Sequence, residues 1–307
     1  MSKIIKDLKR LLCQAVERNP YKNLLFSGGL DTSILASLQP KLTGITISFG
    51  DKAEDIHYSS SLSRLFKIEH FHRKVDIDEA QEAIPEVIKI LKSFDPAIPN
   101  DLAVYFGLLK AEELKIREIA TGDASDELFG GYSFMREIDD LESYIRRISQ
   151  NLKFNSNDLG DYFGIKIIQP FVDKDVLDFA LKIPRELKIR QGRGKWILRK
   201  AFEGVLPYEV AWQDKRPLEY GSGFNRIREI ISNKISDEEF AQRPPFMKFI
   251  SKEHFYYYKI YRQVVGEIPK VKEGQASCPG CGAGMKKESF HCQICGYVIN
   301  NTERTEQ

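Results

Sequence analysis

Along residues 1–19 charged and apolar positions alternate with the spacing of an amphipathic helix, which Asn19-Pro20 ends. Residues 23–26 (NLLF) form a short apolar run, the size of a buried parallel strand. It enters a glycine loop, Ser27-Gly28-Gly29-Leu30-Asp31-Thr32-Ser33, and then a helical stretch over 34–38. Residues 43–49 (TGITISF) are a second β-rich run, 54–66 have helical spacing, and 69–75 suggest a third strand. Residues 79–92 read as a helix, 95–100 as a turn-rich loop, and the next helix runs through Leu114. Residues 118–121 form a strand that leads into Gly122-Asp123-Ala124-Ser125-Asp126. Strands alternating with helices predict an α/β fold with a doubly wound parallel sheet, its ligands at the carboxyl ends of the strands.

Beyond Tyr132 the pattern turns mainly helical to about residue 265, interrupted at Gln169-Pro170 and at residues 216–223. Residues 269–275 read as a linker, and the final residues as a polar, frayed tail. The expected division is therefore one domain over 1–268, with an α/β core at about 20–135 and a helical part at about 136–268, and a small module at 274–300.

Composition adds little to this picture. The 307 residues are 42% hydrophobic and 29% charged, as expected of a globular chain. No apolar run approaches the roughly 18–20 residues of a membrane span, and the start has no secretory apolar region. The expectation is a cytoplasmic protein with no membrane partner. The net charge of +2 is unevenly spread: residues 185–287 hold 21 lysines and arginines against 12 acids, so the rest of the chain is acidic. A basic C-terminal third suits a polyanion such as ATP or RNA, or is a plain solvated face.

The cysteines organise the end of the chain. Cys278-Pro-Gly-Cys281 and Cys292-Gln-Ile-Cys295 lie ten residues apart, whereas Cys13 stands alone on the first helix, where a buried small hydrophobe is expected. Two Cys-x-x-Cys knuckles can put four thiolates around one Zn²⁺, so Cys278, Cys281, Cys292 and Cys295 are expected to form a structural zinc ribbon. His291 adjoins the cluster but four cysteines suffice.

The glycine loop presents several backbone N–H groups to one point, which suits a phosphate. Thr32 and Ser33 add hydroxyl donors. The Gly-Lys-Ser/Thr ending of a Walker A loop and the Gly-x-Gly-x-x-Gly of a dinucleotide site are both missing. Asp31 would repel phosphate unless a cation such as Mg²⁺ lay between them, and Asp126, from another strand end, could share that ion.

The loop Ser27-Gly28-Gly29-Leu30-Asp31-Thr32 resembles the PP-loop of ATP pyrophosphatases, whose fold is the adenine nucleotide alpha hydrolase-like sheet. The string from Thr121 to Tyr132 (TGDASDELFGGY) closely resembles the hallmark of the asparagine synthetase synthase domain. Downstream, Pro170-Phe171-Val172-Asp173, Lys195 to Arg199, and Asp214-Lys215-Arg216 resemble later family segments in the same order. The resemblance covers about residues 15–230. It implies that Ser27, Gly28, Gly29, Asp31, Thr32 and Ser33 hold pyrophosphate and metal, with Asp31 and Asp126 as magnesium carboxylates. Leu25 and Ile47 then flank adenine, and Gly122 lies near the ribose and α-phosphate. Asp123 would orient or deprotonate an incoming amine, and Lys215 would neutralise charge on the α-phosphate and on the tetrahedral intermediate. Lys195 and Arg199 read as positioning residues. The implied activity is ATP-dependent, AMP-forming activation of a carboxylate followed by amide formation, with ATP, Mg²⁺ and Zn²⁺ as cofactors and an aspartate-like carboxylate as the leading substrate.

Two departures qualify this. The glutaminase domain that begins glutamine-dependent members is not found before the first strand, so ammonia, a separate glutaminase or another amine supplies nitrogen. Residues 151–164 lack the charges expected around an aspartate pocket. A zinc ribbon is also foreign to an ordinary asparagine synthetase and could dock a carrier protein or RNA. An RNA-modifying PP-loop enzyme that adenylates or thiolates a tRNA base, and a non-catalytic nucleotide-binding subunit, are the alternative readings.

Overall fold

The computed structural model describes residues 1–299; the expected end of the ribbon at 300 and the polar tail lie outside the described residues. Five strands form one sheet: β1 Asn23–Leu25, β2 Thr43–Phe49, β3 Glu69–Val75, β4 Glu118–Ala120 and β5 Lys166–Ile168. Their order is β3-β2-β1-β4-β5, and every neighbouring pair is parallel. Neighbouring side chains divide between two cores, as a pleated strand requires. Ala120 joins Leu24, Phe26 and Ile34 in one core, whereas Ile119 joins Ile45, Ile47 and Phe106 in the other. Both faces are covered, so β2 is buried almost throughout although Thr46 and Ser48 alternate with its apolar residues; their buried hydroxyls are hydrogen-bonded. β3 forms one edge, where His70 and His72 bond back to Thr46 and Ser48 at 2.8 Å.

The helices that cover the sheet include α1 Ser2–Arg18, α2 Leu30–Leu38, α3 Glu54–Phe66, α4 Ile77–Leu91 and α5 Ile98–Glu113, followed by the short α6 Ser125–Phe129. Helix α1 buries Leu8, Leu12, Ala15 and Val16, while Cys13 is only half-buried, against the expectation of a buried residue there. The segment expected to be mainly helical contains one strand, β5, which pairs with β4 from Glu118↔Lys166 to Ala120↔Ile168. Three residues are too few to display a period in sequence.

The strand order reverses between β1 and β4, so the loops that leave their carboxyl ends face each other across a crevice. One is the loop of residues 27–33; the other is 121–126. No helix among the described residues is long and apolar enough to cross a membrane.

The cysteine module contains the antiparallel pair β6 Gln275–Ser277 and β7 Gly284–Lys286. Its four cysteines lie in the same buried cluster as Phe94, Tyr257 and Tyr261. Phe94 N donates to Ile294 O at 2.7 Å, and Lys248 N to Gly280 O at 2.8 Å.

Candidate active site

The crevice holds two contiguous cavities. The first, about 610 Å³, is lined by Leu25, Phe26, Ile45 and Ile47 on one side and by Ala103, Val104 and Leu218 on the other. The second, about 830 Å³, is polar and bordered by Ser27, Asp31, Asp126, Lys195, Arg199, Lys215 and Arg216. Thr32, Gly122, Asp123 and Asp55 border both. The arrangement brings Leu25, Ser27, Gly29, Asp31, Thr32, Ile47, Gly122, Asp123, Asp126 and Lys215 together from four separate stretches of chain.

Four charges form the centre of the polar cavity. Lys195 Nζ lies 2.6 Å from Asp31 Oδ2 and 2.8 Å from Asp126 Oδ1, and Lys215 Nζ lies 2.7 Å from Asp126 Oδ2. Burial alone would raise the Asp126 pKa, but the two ammonium groups outweigh it and hold the carboxyl at about 2. Burial likewise opposes the charge on Lys195, and Asp126 and Asp31 together overcome it, raising its pKa. Ser125 Oγ donates to Asp31 Oδ1 at 2.7 Å, fixing the rotamer. Asp126 Oδ1 is buried and receives no aligned hydrogen bond, although the Lys195 ammonium is close. A carboxylate oxygen with a spare lone pair beside a second carboxylate fits a hard divalent cation, and Asp31 and Asp126 would hold Mg²⁺ there against the phosphates.

Glycines make this packing possible. A Cβ on Gly131 would overlap Asp126 Oδ1 and Lys195 Cε, and one on Gly194 would overlap Gly130 O. Gly28 has φ +71, and a Cβ there would lie 2.6 Å from Ser59 N. Gly28 itself borders neither cavity; its carbonyl accepts from Gln213 Nε2 at 3.2 Å. Ser33 also departs from the expectation of a hydroxyl aimed at phosphate. It is fully buried in α2, its Oγ has no partner, and it lines neither cavity, because one helical step from Thr32 turns its side chain inward.

Arg199 lies in the helix Trp196–Phe202. Its guanidinium donates to the carbonyls of Gly194 (3.0 Å), Ala211 (2.8 Å) and Gln213 (2.8 Å). One side chain thus ties the strand of chain before Lys195 to the one before Lys215. Arg216 stacks 4.1 Å from the Tyr58 ring centre and faces Asp55 at 3.4 Å. Burial lifts the Asp55 pKa to about 7 against the pull of Arg216.

Asp123 sits where the two cavities meet. Its Oδ2 accepts from Thr121 Oγ1 (2.6 Å), Ser156 Oγ (2.6 Å) and Gln169 Nε2 (2.8 Å), and no donor from the described residues reaches Oδ1. Ser156 and Gln169 come from the stretch that sequence reasoning left unassigned. Gln169 follows β5 directly, so reading that strand would have placed it beside Asp123.

Away from the crevice, Cys278 Sγ lies 3.7 Å from Cys295 Sγ and Cys281 Sγ 3.8 Å from Cys292 Sγ, and all four sulfurs fall within 4.8 Å of one another. Bonds of roughly 2.3 Å to a central tetrahedral zinc give sulfur–sulfur edges of about 3.8 Å, so the set fits one Zn²⁺. An iron–sulfur cube would spread four thiolates over four metal atoms and hold them farther apart. His291 is not among the four ligands.

The family model described as asparagine synthase matches residues 8–163 and 145–275. A probable glutamine-hydrolysing asparagine synthetase of Dictyostelium discoideum is 29% identical over 310 residues, covering 87% of this chain and 55% of its own length. Asparagine synthetase B of Escherichia coli is 26% identical over 294 residues, covering 85% and 52%. The chain thus spans about half the length of these curated relatives. Among solved structures, the U34-tRNA thiolase NcsA of Methanococcus maripaludis with its 4Fe-4S cluster aligns over 98% of this chain and 90% of its own. Its TM-score is 0.33 at 15% identity, too low to carry a functional argument. The matched family residues cover the crevice and both of its loops, and on that match this chain belongs to the asparagine synthase family.

Proposed function

We propose that this chain uses Mg-ATP to adenylate a carboxylate and then forms an amide with ammonia or another amine. The observation that carries the reading is the Asp31–Lys195–Asp126–Lys215 cluster at the β1/β4 switch point, next to an apolar cleft. Adenine would lie between Leu25 and Ile47, and the leaving pyrophosphate on Ser27, Gly29 and Thr32 with Lys195. A substrate carboxylate oxygen bonds to the α-phosphorus as the bond to pyrophosphate breaks. The amine lone pair then attacks the acyl carbon, the bond to AMP breaks, and the amine proton passes to solvent by way of Asp123 Oδ1. Lys215 neutralises charge on the α-phosphate and on the tetrahedral intermediate. Bound Mg²⁺ would supply charge neutralisation on the departing phosphates.

The cysteine cluster is read as a structural zinc site, which would leave the domain as a nucleotide-binding body over 1–268 with a ribbon over 274–300. No cysteine lines either cavity, which counts against a thiolating enzyme that carries sulfur at its nucleotide site. The test is product analysis of the purified chain with Mg-ATP, ammonium or hydroxylamine, and a set of carboxylates. AMP, pyrophosphate and an amide or hydroxamate should appear together and in equal amounts. ADP with orthophosphate as the nucleotide products would overturn the reading.

A further inference from the structure

The acids that border the crevice are held in two ways. Asp31 and Asp126 meet lysines, and Asp55 and Asp214 meet Arg216 and Arg193. Asp123 instead has neutral donors, Thr121 Oγ1, Ser156 Oγ and Gln169 Nε2, all on Oδ2.

Thr121 lies two residues from Asp123 in the same loop, so its bond cannot fix that loop against the rest of the crevice. Ser156 and Gln169 can. Ser156 belongs to the first turn of the helix Asn155–Phe163, and Gln169 follows β5. These two supports are tied to each other. Gln169 Nε2 also reaches Ser156 Oγ at 3.3 Å, and a Cβ on Gly160 of that helix would lie 2.6 Å from Ile167 Cγ1, so the helix rests directly on β5. Asn155 Nδ2 donates to Asp101 Oδ1 at 3.0 Å, which anchors the start of the helix to α5. Ile168 O accepts from Thr121 N at 3.0 Å, carrying the β4–β5 pairing up to the loop.

A carboxylate oxygen that accepts three hydrogen bonds has no lone pair left over. Turning the carboxylate about its Cβ–Cγ bond would break all three, so Oδ1 is the oxygen left to face the cavities that Asp123 borders. Because no donor on Oδ2 is charged, the carboxylate keeps its charge for an amine or for the proton that an amine gives up.

We propose that Gln169 and Ser156 are positioning residues for the amide-forming step: they aim Asp123 Oδ1 at the attacking amine, and they act on that step rather than on adenylation. This rests on the ligase reading above, in which the carbon–nitrogen bond forms, the bond from the acyl carbon to AMP breaks, and the amine proton leaves by way of Asp123 Oδ1.

The experiment compares two rates of the full chain with Mg-ATP, supplying aspartate, glutamate, β-alanine and acetate in turn. Exchange of labelled pyrophosphate into ATP reports adenylation, and hydroxamate formation with hydroxylamine reports the amine step. Gln169→Leu and Ser156→Ala should each lower hydroxamate formation by at least about ten-fold more than they lower exchange. Gln169→Glu supplies a readout that a purely structural role would not move. Its carboxyl can donate to Asp123 Oδ2 only while protonated, and once ionised it repels that oxygen. Hydroxamate formation by Gln169→Glu, as a ratio to the wild type at the same pH, should therefore fall at least about ten-fold as pH rises from about 5 to about 9, with the exchange ratio level. A hydroxamate ratio that is level with pH, or equal losses in both rates for Gln169→Leu and Ser156→Ala, would overturn the inference and leave the ligase reading standing. Wild-type exchange that is absent with all four carboxylates, or independent of them, would instead remove the ligase reading, and the inference with it.

Discussion

Lys195 Nζ donates to Asp31 Oδ2 at 2.6 Å across 164 residues of sequence, and this bond joins the two halves of the nucleotide site. Asp31 belongs to the first turn of α2, after β1; Lys195 precedes the helix Trp196–Phe202, whose side chains are almost all buried. The lysine is 3% exposed and also meets Asp126 from the β4 loop. One ammonium group therefore fixes the spacing of two carboxylates that would otherwise repel each other.

Replacing Lys195 with Met keeps the aliphatic stem and removes the charge. Two largely buried carboxylates then face each other with only Lys215 nearby. The variant should lose about 3 kcal/mol of stability in urea unfolding, in line with removal of one partner from a buried pair. Pyrophosphate release should fall by at least about 100-fold. Magnesium should restore part of the stability loss, since it can replace the missing positive charge between Asp31 and Asp126. A variant whose unfolding midpoint matches the wild type would contradict the central place of Lys195.

Much of this site was legible because its loops carry local signals. Asp31 and Asp126 each follow a strand end and a glycine turn, and Lys215 belongs to a recognisable run. Lys195 reads from the sequence as a positioning residue, but its contacts with both Asp31 and Asp126 are not legible there, because they join segments 164 and 69 residues apart. Ser156 and Gln169 were missed because β5 is three residues long and pairs on one side only. Ser33 was over-read: its hydroxyl is adjacent in sequence to Thr32, but helix geometry turns it away from the cavity. The ribbon's ligand spacing could be read directly, but not that its four sulfurs would sit in the core beside Phe94 and Tyr261.

Gly131 and Gly192 offer a controlled comparison. A methyl group at Gly131 would collide with Asp126 and Lys195, whereas one at Gly192 meets nothing and only strains a backbone at φ +71. Gly192→Ala should therefore cost about 1 kcal/mol of stability and leave kcat unchanged. Gly131→Ala should reduce kcat for AMP formation by at least about ten-fold, since it displaces Asp126, the carboxylate proposed to hold Mg²⁺. Steady-state kinetics on both variants check this; equal kcat values would refute it.

Asp101 makes a pH prediction. Its side chain is fully buried on α5, Oδ1 accepts from Asn155 Nδ2 at 3.0 Å, and Oδ2 has no partner. Burial raises its pKa to about 8, opposed by the Asn155 hydrogen bond. The folded chain therefore keeps a proton that the unfolded chain loses near pH 4. This group's contribution to stability is full below that pH, declines as pH rises towards 8, and is level above it. Asp101→Asn mimics the protonated acid and should flatten the decline between pH 5 and 8 by up to about 1.4 kcal/mol per pH unit. Urea midpoints across that range test it, and parallel curves for the two proteins would count against it.

The ribbon should report on the catalytic half through one loop. Ile294 O accepts from Phe94 N at 2.7 Å and from Ser93 Oγ at 3.2 Å, and Gly296, at φ +72, lies against Asp95. On the far side of that loop, Arg228 donates to Pro96 O at 2.9 Å and also binds Glu219, in the segment that carries Leu218 and Ser222 into the apolar cavity. A tetrathiolate without its metal cannot remain buried, because its sulfurs would repel each other or take up protons. Native mass spectrometry should find one zinc per chain. After chelation, hydrogen exchange at Phe94 should rise first and most, with a smaller rise over residues 218–222 and the Lys195 region unchanged. Protection of Phe94 that survives removal of the metal would show that the loop is held by its own packing, and that the ribbon lends the nucleotide site no support.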